Sequence, residues 1–241
     1  MIPLRSLPLP PNARILLLGP HPDDFDAIGV SMRALHDQGH KLFVAVISGS
    51  ASGVLDDYVG PSLEAKAAAR ETEQRDSVRF FGLPDENLTF LRLAEDDGGD
   101  PIEDPQSEQA IRAHLESIRP DAVFLPHGND TNAGHQRVYA MFRRIASTFD
   151  TPLTALFIRD PKTLELRTDV YQPFDESEAL WKRELLHHHH SQQHRNQTLR
   201  QHGFDDRVLQ VNRDIASDLN LPKDYAEAFE MEIFAPKPAT F

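Results

Sequence analysis

Apolar residues along this chain fall into two patterns that take turns. Short β-rich runs occupy 14–18, 41–48, 87–93, 121–125 and 152–159, and between them apolar positions recur every three or four residues. After the first run Phe25, Ile28, Met32 and Leu35 keep that spacing, with Gly39 placed to end a helix. A second helix is predicted over 62–81, a third is marked by Ile111, Leu115 and Ile118, and a fourth by Val138, Met141, Phe142 and Ile145. Strands alternating with helices predict a Rossmann-like α/β fold, a mostly parallel sheet with helices on both faces. Between the third run and the third helix, Asp96-Asp97-Gly98-Gly99-Asp100-Pro101 reads as a polar loop.

Beyond residue 160 the pattern loosens. Residues 164–174 read as strands, 177 to about 200 as one long helix carrying Trp181, Leu185 and the run His187 to His190, and Phe229, Met231 and Ile233 alternating with Glu230 and Glu232 as a last strand. The expectation is one domain over 1–241, with a core at 12–160 and a short C-terminal α+β extension at 161–241.

Charge narrows the partners. With 25 basic and 38 acidic residues the net charge is −13, which repels nucleic acid phosphate and anionic membrane surfaces, so neither is expected as a partner. No apolar stretch approaches the ~20 residues of a membrane-spanning helix, and Met1-Ile2-Pro3-Leu4-Arg5 lacks the apolar core of a secretory signal. The chain therefore reads as cytoplasmic, with a small molecule as its expected partner; a homo-oligomer fits equally. Having no cysteine, it has no disulfide and no thiolate, and any metal must be held by nitrogen and oxygen.

Chemistry concentrates in two places. Gly19-Pro20-His21-Pro22-Asp23-Asp24 follows the first apolar run, and Asp130-Thr131-Asn132-Ala133-Gly134-His135 follows the fourth by a few residues. If those two strands are neighbours, their carboxyl ends flank the point where strand order reverses, the crevice in which open α/β sheets bind ligands. His21, Asp24 and His135 would then supply three nitrogen and oxygen ligands and leave a fourth position for water, as catalytic zinc requires. Two histidines and a carboxylate with open positions also suit Fe2+, and another divalent metal is compatible. Asp23, adjacent but surplus to such a set, is the candidate general base.

Plainer roles exist for several of these residues. Asp23, Asp24 and Asn132 all suit helix caps. Arg70 and Glu73, three apart on one helix, fit a solvated ion pair worth ~0.3 kcal/mol. Four consecutive histidines point all round a helix, so His187 to His190 cannot act as one ligand set. His189 and His127 fit packing and loop positions as well as site positions.

At the two motifs the chain resembles the PIG-L/LmbE family of zinc-dependent N-deacetylases, whose pattern is His-Pro-Asp-Asp followed later by Asp-x-His-x-Asp-His. Arg70-Glu71-Thr72-Glu73-Gln74-Arg75 ahead of Phe81-Gly82-Leu83 is similar to the family's helix leading into its third strand, and His189, Ser191 and Gln192 are similar to its His-x-Ser-Gln. The resemblance spans roughly 14–195. It implies zinc held by His21, Asp24 and His135, with Asp23 as base for water attacking the acyl carbonyl of an amino sugar such as an N-acetylglucosamine derivative. Arg70, Glu73, Asp130 and His189 would support the site or bind substrate. Two departures stand out: the histidine and aspartate inside the family's second motif fall on Asn132 and Gly134. Asn132 can donate to an oxyanion but cannot protonate an amine, and His127 is the nearest substitute for that task. Asp26 stands where the family usually has Glu. Loss of the pair leaves open a metal- and sugar-binding protein with little turnover, and the ligand set leaves open a non-haem Fe(II) enzyme.

Overall fold

The computed structural model describes residues 1–235. Its strands are β1 (Ile2–Pro3), β2 (Arg14–Gly19), β3 (Lys41–Val46), β4 (Leu88–Phe90), β5 (Ala122–Pro126), β6 (Leu153–Ile158), β7 (Val170–Phe174) and β8 (Tyr225–Phe234). They form one sheet in the order β1-β7-β8-β6-β5-β2-β3-β4. β8 runs antiparallel to β6 and β7, and the other pairings are parallel. The helices are α1 (Asp24–Ala27), α2 (Gly29–Asp37), α3 (Asp56–Val59), α4 (Leu63–Phe81), α5 (Pro105–Ile118), α6 (Ala133–Ala146), α7 (Glu176–His187), α8 (His190–Arg200) and α9 (Phe204–Asp218). None of them is long and apolar enough to cross a membrane.

The continuous apolar runs follow from burial on both faces. Successive side chains of a strand point to opposite sides, so a strand covered on both must be apolar at every position. In β2, Ile15 and Leu17 pack with Phe25, Ile28, Met32 and Leu35 of the first helical segment and Val78 of α4. Leu16 and Leu18 face the other way, onto Ile111 and Leu115 of α5 and Val138, Met141, Phe142 and Ile145 of α6. Truncating one of these, for example Phe142→Ala, would cost about 3–5 kcal/mol.

The chain runs β2, β3, β4 outward in one direction and returns to β5 on the other side of β2. The reversal therefore lies between β2 and β5, which pair in parallel from Ile15 opposite Ala122. Their carboxyl ends open on one edge of the sheet, and that is where both motifs emerge.

Some elements differ from the pattern-based reading. The first helix is two, α1 and α2, because Ile28 leaves helical geometry with φ −119° and ψ 28°. The Ala27 carbonyl is taken instead by Lys182 Nζ at 2.6 Å, and the Val30 and Ser31 amides donate to Glu227 at 3.2 and 2.7 Å. The expected long helix from 177 is also broken, into α7 and α8, where His189 adopts φ −84° and ψ 64° and turns its ring onto Asp26. Strand structure within 164–174 is confined to β7, and within 87–93 to β4. The pattern gave no sign of α9. Its buried face mixes Val208, Leu209 and Ile215 with Asp205 and Asn212, and the polar pair blurs the apolar stripe.

Candidate metal centre

Local backbone brings the first motif to the cleft. Gly19 ends β2 with Asp24 folded back over it; a Cβ there would lie 3.0 Å from the Asp24 Cβ, so the approach requires glycine. The His21 amide donates to Asp24 Oδ2 at 2.8 Å and closes the turn. Between them Asp23 is held at φ 115°, a left-handed conformation that costs an L residue about 1–3 kcal/mol. Neighbours hold it there: the Asp23 amide donates to Gln74 Oε1 at 2.9 Å, and Arg70 donates to Asp23 Oδ2 at 2.7 Å and also to the Pro22 carbonyl.

The second motif arrives through the start of α6. Asn132 caps that helix, its Oδ1 accepting from the His135 amide at 3.1 Å, and Asp130 Oδ1 accepts from the Asn132 amide at 2.7 Å. His135 is thereby fixed in the first turn, its ring centroid 5.1 Å from that of His21. His135 Nε2 lies 3.7 Å from Asp24 Oδ1, and His21 Nδ1 lies 3.7 Å from Asp24 Oδ2. One ligand atom from each of His21, Asp24 and His135 falls within 4.8 Å of the others, and all three residues are buried.

Electrostatics suit a cation here. Burial drives the His21 imidazole down to about 4, so it stays neutral with a free lone pair. Burial likewise pushes the Asp24 carboxyl up, against the pull of His135. For His135 burial works downward, but Asp160, Asp130 and Asp24 together outweigh it and hold the ring above its ordinary value. Its Nδ1 faces Asp130 Oδ2 at 3.1 Å and Asp160 Oδ2 at 3.2 Å. With the Nδ1 proton given to that pair, Nε2 is the nitrogen turned to Asp24, the carboxylate–histidine arrangement that orients a metal ligand. Two imidazoles and a carboxylate with these outer partners fit Zn2+ or Fe2+.

The supporting residues predicted from sequence are buried and divide their work. Arg70 and Glu73 do not pair with each other: Arg70 reaches Asp23, whereas Glu73 accepts from the Ser191 amide and hydroxyl, each at 2.7 Å, and from the Tyr58 hydroxyl at 3.1 Å. His189 Nε2 donates to Asp26 Oδ2 at 2.7 Å, and Gln74 and Ser77 donate to the same carboxylate. Asp26 thus ties α1 to α4 and to the break before α8. His127 is not brought to the site. It continues the alternation of Val123 and Leu125, on the α6 side of β5, with its ring against Tyr139 and Phe157 and Nε2 3.6 Å from Glu230.

Two carboxylates escaped the sequence reading. Asp160 follows β6 by two residues and Asp130 follows β5 by four, so a similar strand-end signal was present. Asp100 comes from the polar loop read only as a breaker. It accepts from the Gly134 amide at 3.0 Å and lies 3.9 Å from His21 Nε2. A Cβ on Gly134 would sit 2.9 Å from Asp100 Oδ1 and 3.0 Å from His21 Nε2, so Asp100 fills the space a side chain at 134 would need. These groups open into a cleft of about 240 Å³, just below the roughly 300–1,000 Å³ of small-molecule sites. His21, Asp23, Asp24, Asp100, Asn132 and His135 line it together with Lys162, Arg195, Arg200 and Arg207.

Known proteins share this framework. The sequence matches the profile of PIG-L, GlcNAc-PI de-N-acetylase, over residues 16–146. No curated protein matches it significantly by sequence. Among solved structures, an N,N'-diacetylchitobiose deacetylase from Pyrococcus horikoshii superposes with a TM-score of 0.73 at 14% identity, covering 91% of this chain and 84% of its own. A 4-carboxy-2-hydroxymuconate hydratase from Pseudomonas putida superposes with a TM-score of 0.68 at 15% identity over 95% and 99% of the two chains. The zinc-inhibited form of a teicoplanin deacetylase gives 0.67 at 13% identity over 94% and 100%. At these identities the likeness is one of fold.

Proposed function

The chain belongs to the PIG-L family, and on that footing we propose that it is a metal-dependent hydrolase removing an N-acyl group from an amino sugar such as an N-acetylglucosamine derivative. The observation that carries the reading is the convergence of His21, Asp24 and His135 beyond the ends of β2 and β5, with Asp23 fixed on the cleft wall beside them.

His21, Asp24 and His135 would hold the metal, Zn2+ or another divalent ion, which supplies a polarised acyl carbonyl and a water acidified to roughly pKa 7. Asp23 takes the proton of the attacking water. Arg70 holds its carboxylate and Gln74 its backbone, so the base keeps one orientation through the reaction. When the C–N bond breaks, Asp23 returns that proton to the departing amine, which balances the hydrolysis without a second acid. Asn132 has its Oδ1 committed to the His135 amide, which leaves its amide N–H groups to donate to the oxyanion. Asp100, in the space beside Gly134, orients His21 from its Nε2 side as Asp130 orients His135 from Nδ1. The test is release of free amine by the metal-loaded protein from a panel of N-acylated glucosamines. Absence of release across the panel would defeat the reading.

The replacement of a proton-donating histidine by Asn132 favours one second reading. Hydration of an unsaturated acid expels no amine: hydroxide adds to one carbon and the proton Asp23 takes from water is returned to the other, and one fold neighbour is a hydratase by name. Turnover of unsaturated carboxylates with no amine release from any N-acyl sugar would select it.

A further inference from the structure

One wall of the cleft is lined by cationic side chains. Several arginines on the surface sit against carboxylates: Arg79 on Asp85, Arg92 on Glu71, Arg144 on Glu108, Arg167 on Asp169. In a chain with 38 acidic residues that is the ordinary outcome. Arg195 on α8 and Arg207 on α9 have no such partner and line the cleft instead of the open surface. Among the described residues neither guanidinium has a hydrogen-bond partner or a carboxylate within 4.0 Å, and both are half-buried against the cleft. Arg200 stands beside them, bonded to Asn196 on its own helix, and Lys162 lines the same cleft. Burial, together with repulsion from Arg200 and Arg70, presses the Arg195 guanidinium below its ordinary value against the pull of Asp23; Arg207 is lowered by burial and by Arg200 and Arg195 against the pull of Asp160 and Asp130. Like charges crowded into a half-buried wall with no carboxylate in direct contact are unfavourable in the empty protein, and an anion set among them lowers the cost.

The acidic groups of the cleft do not supply that anion. Asp23 is engaged by Arg70, and Asp130 and Asp160 face His135. A divalent ion on His21, Asp24 and His135 would neutralise the acidic groups further and leave the arginines as they are.

We propose that Arg195 and Arg207, with Arg200 and Lys162, form an anion subsite, and that the substrate carries a carboxylate or a phosphate at the end remote from its N-acyl group. The proposal rests on the amino-sugar reading above and names the class of sugar: an acidic N-acyl amino sugar. Planar guanidiniums recognise either anion through paired N–H donors, so the wall fixes the charge and leaves the choice of acid open.

Calorimetry on the metal-loaded full chain tests it, with N-acetylglucosamine, its 1-phosphate and 6-phosphate, and N-acetylmuramic acid as probes. At least one anionic probe should bind about tenfold or more tighter than the neutral sugar, the gain of one charge-assisted contact. In Arg195→Gln and Arg207→Gln that advantage should shrink about tenfold while the neutral sugar keeps its Kd. Melting temperature checks that each variant is folded, and Lys162→Gln is a third, milder probe of the same wall. Whether phosphate or carboxylate is preferred identifies the acid. Equal Kd values for neutral and anionic probes would overturn the proposal. So would an advantage that survives both arginine substitutions, because the anion would then be bound at the metal. Calorimetry reads binding whether or not the acyl group is cleaved, so a lost anion preference leaves the hydrolase reading standing. Absent amine release with the preference intact does the reverse.

Discussion

Lys182 and Glu227 lie as deep in this molecule as His135 and Asp130, yet the two groups are put together in opposite ways. The three N–H donors of Lys182 meet three acceptors: the Ala27 carbonyl at 2.6 Å, Asn212 Oδ1 at 2.8 Å and Glu227 Oε1 at 2.6 Å. Glu227 takes two more donors from the start of α2. Around His135, by contrast, three carboxylates crowd one imidazole, and acceptors outnumber donors. The first cluster is complete without a ligand and joins α2, α7, α9 and β8. The second is balanced only by added positive charge. Within one protein, the balance of donors and acceptors separates a buried charge that holds architecture from one that serves chemistry.

The largest effect should come from the open cluster. His135→Ala should lose bound metal and, with it, all amine release; elemental analysis on a background with His187, His188 and His190 replaced, and the buried His189 kept, avoids stray binding by that run. Metal retained in stoichiometric amount would remove this ligand set. Next, Asp23→Asn should keep the metal and lower turnover by ~100-fold to 10,000-fold, the usual contribution of a general base. If the metal is lost instead, Asp23 is a ligand and the roles must be reassigned.

The closed cluster should answer in stability. Lys182→Met leaves the Glu227 carboxylate buried without its cation and should cost about 3–5 kcal/mol in denaturant unfolding, with metal affinity per folded molecule retained. Adding Glu227→Gln should recover part of the loss, and a loss of metal affinity in either variant would show that the clusters are not separate. Acidity should separate them as well. Protons compete with metal at Asp24, held up to about 7, and at His135, held above its ordinary value, so affinity should fall as pH drops through about 7. The expected slope is about tenfold per pH unit for each proton displaced, and a flat profile from pH 8 to 6 would defeat it. The smallest effect is at the edge of the open cluster. Asn132→Ala should cost ~1 kcal/mol of stability as a lost helix cap. A further fall in turnover of ~100-fold would show that it also holds the oxyanion; unchanged turnover would leave it a cap alone.

Periodicity was enough for the part of the molecule built on strand-helix alternation. β2, β3, β5, β6 and the helices α5 and α6 lie where apolar spacing put them, because their apolar positions are the buried ones; α4 lies where expected although its buried face is mostly polar. Periodicity failed where other polar side chains occupy core positions. Asp205 and Asn212 hid α9, and His189 broke a helix by turning inward to Asp26. The site divides the same way. His21, Asp24 and His135 announced themselves by residue type at a strand end, and the structure brings them together. Asp100 gave no comparable sign, since its position follows from the glycine at 134 on a distant segment. His127 lies against Tyr139 and Phe157 on the α6 side, because one step along a strand decides which side of the sheet a residue serves.

The break between α7 and α8 separates what the chain can change from what it must keep. His189, Ser191 and Gln192 anchor this stretch to Asp26, Glu73 and Gly53. The arginine-bearing face begins only a few residues later, outside the segment that matches the family profile. On the proposed reading, selectivity and reactivity sit on different pieces of polypeptide. A graft that keeps those three anchors and exchanges the face from Arg195 to Arg207 could re-address the enzyme to another sugar while leaving its reactive half untouched.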